Sequence, residues 1–333
     1  MLTKLREYNL HDNLRLSCIQ YNSDEEWLEL RKQGIGGSDI GAILKLSKYS
    51  SPLKVYKSKQ ECAEQVDSVN IRKGKALEPL IRESYVKPAL LEMGYRVEHP
   101  DVMFVNNSCP WLIANLDGIA VPLEPKSYRD NMVIEIKWVS ELGEQRWNGD
   151  DYCGVPAEYY AQVQHYMCVT GIQKTLVCAL FDSTWEMHYY PIKFDTSFVM
   201  RMLDTSEHFY KHNMAHHIAP EPMLEIDRED ILAELVDGRM PKHSVPSLEL
   251  SQKCAEYTAL KEELRVKEHY LKELADDIVS AYRAGESPEA PFRVKLSTYK
   301  RKSFDADGLK KANPKLYEDF LTFNDCLRVY IGK

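Results

Sequence analysis

Val133-Ile134-Glu135-Ile136-Lys137-Trp138-Val139 is an apolar run interrupted by two charges. A period of two places Glu135 and Lys137 on one face of a strand and Ile134, Ile136 and Trp138 on the other. A carboxylate and an ammonium in so apolar a strand cost free energy unless something holds them, and a divalent cation with a polarised water would do so. A second apolar run, Trp111-Leu-Ile-Ala-Asn-Leu-Asp-Gly-Ile-Ala-Val121, lies upstream and carries one acid. Asp117 is followed by Gly118, where a strand can bend and admit a close neighbour. Asp117 and Glu135 are hard oxygen donors suited to Mg²⁺ or Mn²⁺, and the Ile136 carbonyl between the two charged residues can add a ligand. Lys137 can orient or deprotonate a water and offset charge that develops on a phosphorane-like transition state. Asp plus Glu-x-Lys alone is explained almost as well by a cross-strand ion pair. The order of the elements and their apolar setting give the pattern its weight.

Working outward, a competing Glu-x-Lys at Glu124-Pro125-Lys126 sits among polar residues, and its proline marks a loop rather than a strand. Residues 71–94 read as one amphipathic helix with Leu77, Leu80, Ile81 and Tyr85 inward; Glu78 lies beside that face and can reach a site. Alone it reads as a solvated helix acid. Residues 23–33 read as a short helix capped by Ser23, with Glu26 completing a capping box. Gly34-Ile-Gly-Gly-Ser38 and a helix from Asp39 to Leu46 follow. Arg31, the glycine loop and Ser38 at a helix N-terminus suit an anion, although taken alone an ordinary glycine turn capped by Ser38 is the simpler account. Pro156 opens a helix over 157–169 that stops near Gly171. Its Gln162 and Gln164 are two apart and point about 200° apart, so only one can face a site. Strands are expected at 176–181 and 185–192, and a helix at 195–217. His208, His212 and His216 form a stripe on that helix, which lacks a Cys or acid to complete a zinc set and reads as a solvated or packed face.

The 333 residues, 44% hydrophobic, suffice for one large domain or two medium ones. A linker is expected over about 220–248. Beyond it come a helix from Leu250 to Tyr282, a basic strand over 292–302, a helix near 305–320 and a strand over 327–331. Tyr257, Leu264, Leu271 and Ile278 share one heptad position, but Lys267 interrupts the other, which favours a helix docked on its own domain or a short hairpin over a long coiled coil. No run approaches the roughly 20 apolar residues of a membrane span, and the N-terminus lacks a secretory apolar core. The 8 cysteines form no CxxC pair, which gives no support to a zinc ribbon, an iron–sulfur cluster or a disulfide framework and suits a reducing cytoplasm. A net charge of −8 is awkward for nucleic-acid binding and demands locally basic surfaces.

Arg31…Gly34-Ile-Gly-Gly-Ser38-Asp39, Gly74…Glu78, Asp117, Glu135-Ile-Lys137 and Ala161-Gln-Val-Gln-His165, in this order, resemble the YqaJ-like viral recombinase group. That group includes the phage lambda exonuclease type and belongs to the PD-(D/E)XK nuclease superfamily. The resemblance covers about residues 25–195 and implies an α/β, restriction-endonuclease-like core: a central mixed sheet flanked by helices. It implies a Mg²⁺-dependent 5′→3′ exonuclease that digests the 5′-ended strand of linear duplex DNA for phage-type recombination in a bacterial cytoplasm. A ring-shaped homotrimer and a single-strand annealing partner are further implications. Asp117, Glu135, the Ile136 carbonyl and Glu78 would bind metal, with Lys137 the catalytic lysine. Gln164, or else Gln162, would stand near the water, and Arg31 and Ser38 would hold the 5′-phosphate. Leu116 stands where the superfamily name has proline, and the Asp117-to-Glu135 spacing is long. Related readings are an endonuclease or single-strand nuclease on the same core, and a non-catalytic DNA-end binder, against which the complete Asp117/Glu135/Lys137 set speaks. The expected division is a nuclease domain over 1–222 and a C-terminal accessory region, helical with β structure, over 223–333.

Overall fold

The protein is described here by a computed structural model covering residues 5–7, 16–60, 69–124, 127–236, 246–289, 292–296 and 305–319. It divides into two compact units, Met1–Ile231 and Leu232–Lys333. The first opens with strands β1 (Leu5–Glu7) and β2 (Leu16–Gln20). Ser23 caps helix α1 (Asp24–Lys32) by accepting from the Glu26 N–H, while the Glu26 carboxylate reaches back to Asn22 N rather than to the cap residue. Helix α2 (Gly37–Ile43) starts before Ser38, so Gly36 is its cap, and Asp39 supplies the missing side chain by accepting from Gly36 N at 2.9 Å. Helix α3 (Pro52–Ser58) follows, capped by Ser51.

The single helix expected over 71–94 is three pieces: α4 (Val69–Ile81), a π-helical turn (Arg82–Val86) and α5 (Lys87–Glu92). Pro79 and Pro88 each remove a backbone donor from this stretch, and the wide turn lies between them. The turn adds a residue to the repeat. The buried face therefore runs Ile81, Val86, Leu90, and the expected inward residues Leu80 and Tyr85 are exposed.

Strands β3 (Tyr95–Glu98), β4 (Val102–Asn106), β5 (Ile113–Ala114), β6 (Gly118–Pro122) and β7 (Met132–Val139) come next. The run expected as one strand over 111–121 is thus broken, and Asp117 lies in the bend before β6. Helix α6 (Ala157–Thr170) ends on Gly171, whose φ of 73° is the left-handed value a helix terminus commonly takes. It crosses from β7 to β8 (Lys174–Phe181), and β9 (Glu186–Lys193) returns antiparallel. Helix α7 (Thr196–His208), a second π-helical turn (Phe209–Met214) and α8 (Arg228–Val236) complete this stretch.

The strands form two sheets. One is mixed, in order β3-β6-β7-β8-β9, antiparallel throughout except for the β7–β8 pair that α6 connects. The other, β1-β2-β4-β5, is antiparallel, and the sequence reading did not anticipate it. The architecture is α/β, a mixed sheet flanked by helices. β7 is central and buried on both faces. Ile134 and Ile136 pack in one core with Ile81, Val86 and Leu90. Val133 and Val139 face the larger core, with the α6 residues Ala161, Val163 and Met167. The alternation expected of Val133–Val139 is therefore present.

In the second unit, α9 (Leu248–Arg283) runs unbroken for 36 residues, not as a hairpin, and none of them is buried. Helices α10 (Ala306–Ala312) and α11 (Pro314–Asp319) replace the single helix expected near 305–320, divided where Asn313 precedes proline. Residues 292–296 of the expected basic strand have no regular structure, and its remainder, like the strand expected over 327–331, lies outside the described residues.

Candidate active site

Glu135 and Lys137 extend from β7 toward α6, and the Lys137 ammonium donates to Glu135 Oε1. Glu135 is 1% exposed, and its second oxygen, Oε2, has no partner among the described residues. Asp117 reaches the same place from the bend before β6: its Oδ2 accepts from Ile136 N at 2.7 Å. Gly118 allows this bend to lie close to β3, since a Cβ there would meet Val97 Cγ1 at 3.1 Å. Glu78 arrives from α4, held by Arg82 of the π turn at 3.1 Å. Arg82 is buried and also donates to the Asp117 carbonyl at 3.1 Å, a carbonyl that His99 Nδ1 approaches at the same distance. A cation the sequence did not single out thus ties the helix acid to the strand acid. The register change at the π turn accounts for its position.

The acids perturb one another. Burial, then repulsion from Asp117, pushes the Glu135 carboxyl up to about 8. Burial likewise raises Asp117 and Glu78, the latter with a further contribution from Asp117. Burial alone would lower the Lys137 ammonium, but Glu135, Tyr159 and Asp117 outweigh it and hold its proton more firmly than usual. The Tyr159 ring lies 4.8 Å from the Lys137 nitrogen. Among the described residues no three His, Cys, Asp or Glu side chains stand as a ready-made metal cluster. The donor chemistry nevertheless fits a hard divalent cation. An orphaned, buried carboxylate oxygen sits beside a second carboxylate, and burial drives both toward protonation, which a bound cation would oppose.

The glutamine facing this site is Gln162. Its Nε2 donates to Glu135 Oε1 and to the Tyr166 hydroxyl, each at 2.8 Å. Gln164, favoured from the sequence, points the other way and bridges Lys193 O at 2.8 Å and Asp195 N at 2.9 Å, joining β9 to the start of α7. The half-turn between them is the one helical geometry requires, but the choice of face depends on how α6 lies on the sheet. Tyr166, four residues after Gln162, was also missed; i,i+4 spacing was its only sequence signal.

Arg31 and Ser38 do come together: the guanidinium Nη2 donates to Ser38 Oγ at 2.7 Å. Arg31 also lies 3.6 Å from Asp39 and 4.9 Å from the Trp27 ring centre. Lys59, from the residue closing α3, donates to Asp39 at 2.6 Å and to the Arg31 carbonyl at 2.9 Å, and its side chain is 5% exposed. Burial opposes ionisation of Asp39, but Lys59 and Arg31 overcome it and hold that carboxyl below its usual range. Two cations and one carboxylate leave this corner net positive. Gly36 leaves room for it, because a Cβ there would lie 3.3 Å from both Arg31 Nη2 and Asp39 Oδ2.

Glu124 lies in an exposed turn after β6, and Lys126 is outside the described residues. His208 and His212 stack at 5.1 Å, and among the described residues no acid or cysteine completes a metal set with them.

Comparison with known proteins bears on the same segment. A model of the YqaJ-like viral recombinase domain family matches residues 26–173. The uncharacterized protein YqaJ of Bacillus subtilis (strain 168) is 26% identical over 162 residues, 47% of this chain and 46% of that protein. The match therefore spans about half the length of this curated relative. Among solved structures, the alkaline exonuclease LHK-Exo of Laribacter hongkongensis is 19% identical, with a TM-score of 0.45 over 63% of this chain and 99% of that one. A phage-related exonuclease of Haemophilus somnus 129PT is 10% identical, with a TM-score of 0.41 over 58% and 100%. The stretch that the YqaJ-like viral recombinase domain model matches, residues 26–173, carries Arg31, Glu78, Asp117, Glu135, Lys137 and Gln162.

Proposed function

We propose that this protein is a divalent-metal-dependent exonuclease that digests the 5′-ended strand of linear double-stranded DNA, with Mg²⁺ as the metal and Mn²⁺ as a substitute. The observation that carries the reading is the buried Glu135–Lys137 pair, with Glu135 Oε2 unpartnered and Asp117 and Glu78 converging on it. Asp117, Glu135 and the Ile136 carbonyl would hold the metal, with Glu78 at its edge. A bound divalent cation supplies positive charge against the scissile phosphate and lowers the pKa of a coordinated water.

The chain's own groups do the rest. Lys137, whose ammonium donates to Glu135 Oε1, would orient or deprotonate the attacking water and offset charge in the transition state. Gln162 fixes the Glu135 oxygen nearest Lys137. Arg82 holds Glu78 and the Asp117 backbone in place.

End recognition rests on the Arg31–Ser38 corner. Its net positive charge and free hydroxyl capacity suit a terminal phosphate, which carries more charge than a bridging one. Lys75 and Arg31 share the Trp27 ring, and Lys73 lies 5.3 Å from the Trp138 ring centre. These are the local basic groups an acidic protein needs to meet DNA. The same reading carries a ring-shaped trimer, a single-strand annealing partner and action in a bacterial cytoplasm.

The test is a linear duplex labelled at either end, incubated with Mg²⁺ or with EDTA beside a closed circular plasmid. Release of 5′-terminal nucleotides only with Mg²⁺, with the circle intact, is the expected result. Loss of the circle would replace this reading with an endonuclease, and binding without cleavage would replace it with an end-binding protein.

A further inference from the structure

Helix α9 presents a seam that no described residue buries. Leu250, Tyr257, Leu264, Leu271 and Ile278 repeat every seven residues, and Lys253, Leu260, Lys267, Leu274 and Ala281 take the second core position three residues later. The seam is open to solvent: Leu264 is 57% exposed and Leu271 68% exposed, and no residue of the helix is buried. We propose that α9 is a self-association element that pairs with α9 of a second copy of this chain as an antiparallel two-helix coiled coil.

The two core lysines select both the partner and the orientation. In a parallel pair Lys253 and Lys267 would each face their own copy, placing two like charges in each of two core layers. An antiparallel pair with its twofold axis between Arg265 and Val266 sets each first-position residue against a second-position one. Lys267 then meets Leu264, Lys253 meets Ile278, Leu260 meets Leu271, and Tyr257 meets Leu274. Each lysine stem lies along an aliphatic partner while its head stays at the surface, where Lys267 already pairs with Glu263 and Lys253 with Glu249. The pattern is its own complement under a twofold axis, as an isologous contact requires.

The flanks do not decide the orientation. Lys261 opposite Glu268 is balanced by Glu256 opposite Asp277 when antiparallel, and a parallel pair balances attraction and repulsion in the same way. They do exclude another occupant: the helix carries more acids than bases along its length, so nucleic acid is not its partner. This inference does not depend on the nuclease reading, since α9 lies outside the residues matched by the recombinase family.

Two measurements on the full chain test it. Leu264→Lys sets a second ammonium against Lys267 of the other copy in both central layers, at an exposed position, so the first unit stays folded. Light scattering should give wild type about twice the mass of Leu264→Lys. The second uses Cys254, a free and half-buried thiol on the flank of the seam. The antiparallel register puts Ala275 of the second copy opposite it. Ala275→Cys should therefore give a covalent dimer with a short bismaleimide, wild type should not, and Ala275→Cys combined with Cys254→Ser should lose it. Equal masses for wild type and Leu264→Lys would overturn the proposal. So would a cross-link that fails to form, or one that persists without Cys254.

Discussion

Gln162 and Gln164 should separate cleanly into a residue that sets rate and one that sets stability. Gln162→Leu keeps the volume but removes two donated hydrogen bonds of 2.8 Å, one of them to the Glu135 carboxyl, which would be charged once metal displaces its proton. A hydrogen bond to a charged group contributes roughly 1.5–3 kcal/mol, so if Glu135 must be fixed in the transition state the rate falls about ten- to a hundredfold. Gln164→Leu leaves Lys193 O and Asp195 N without their partner. Each lost partner costs about 1–3 kcal/mol when water cannot replace it. Both atoms sit near the surface, so a total of about 2 kcal/mol is expected, a fall in Tm of roughly 4–8 °C for a unit of this size. The assay is single-turnover digestion of an end-labelled duplex at saturating enzyme, well below either Tm, with Tm measured on the same preparations. Gln164→Leu should digest within about twofold of wild type, a change too small to register as a lost hydrogen bond. If Gln164→Leu were the slower enzyme, the site would be built on the opposite face of α6.

Arg31→Ala should reduce the preference for 5′-phosphorylated over 5′-hydroxyl ends by about ten- to a hundredfold, the worth of one charge-assisted contact, while slow digestion persists; unchanged preference would make the loop an ordinary turn. Lys137→Met should abolish digestion with the fold intact, whereas Glu124→Ala should leave the rate unchanged, as parallel rate and circular-dichroism measurements would tell. Glu135 retains its proton up to about 8, so Mn²⁺ must displace a proton at neutral pH. Affinity read from the free-Mn²⁺ paramagnetic signal should therefore rise from pH 6 to 8 and then level, and a pH-independent affinity would remove Glu135 from the ligand set. His165 is fully buried, and burial pushes its pKa down to about 4. The folded state thus binds that proton less readily than the unfolded chain, and stability present above about 6.5 is lost as pH falls. The linkage gives about 2 kcal/mol between pH 7 and pH 5, measurable by urea unfolding and reduced in His165→Gln.

What could be read from the sequence was what depends on local period. The alternation of Val133–Val139, the stop at Gly171 and the Ser23 cap each depend on residues within one or two turns. The face buried by α4 and α5 was misread because a π turn between two prolines shifts the register, and hydrophobic spacing at a fixed 3.6 residues cannot show an added residue. The sheet β1-β2-β4-β5 escaped because β5 is only 2 residues long and β2 pairs with a strand more than 80 positions away, Cys18 opposite Phe104. Arg82 and Lys59 carried no motif. Each is recognised only by the acids that three-dimensional packing brings to it.

The two halves of the site are joined by a contact of the same kind. Gly37 has no side chain because the Tyr166 ring occupies the space; a Cβ there would fall 2.3 Å from its Cε1. The hydroxyl of that ring accepts from Gln162, whose amide also holds Glu135. A buried aromatic therefore rests on the first residue of α2, next to Ser38, and ends on the ligand network of β7. Tyr166 is itself sensitive to both sides: burial raises its pKa, Glu135 and Asp117 raise it further, and Arg31 opposes them. Interiors packed to crystal-like density transmit small displacements. Arg31 and Ser38 already meet at 2.7 Å, so an anion bound there would compete for that hydrogen bond beside the helix end that seats Tyr166. Under the proposed function, Tyr166 is the contact through which the Arg31–Ser38 corner and the acids would be linked, so Tyr166→Phe should slow digestion of 5′-phosphorylated ends more than of 5′-hydroxyl ends.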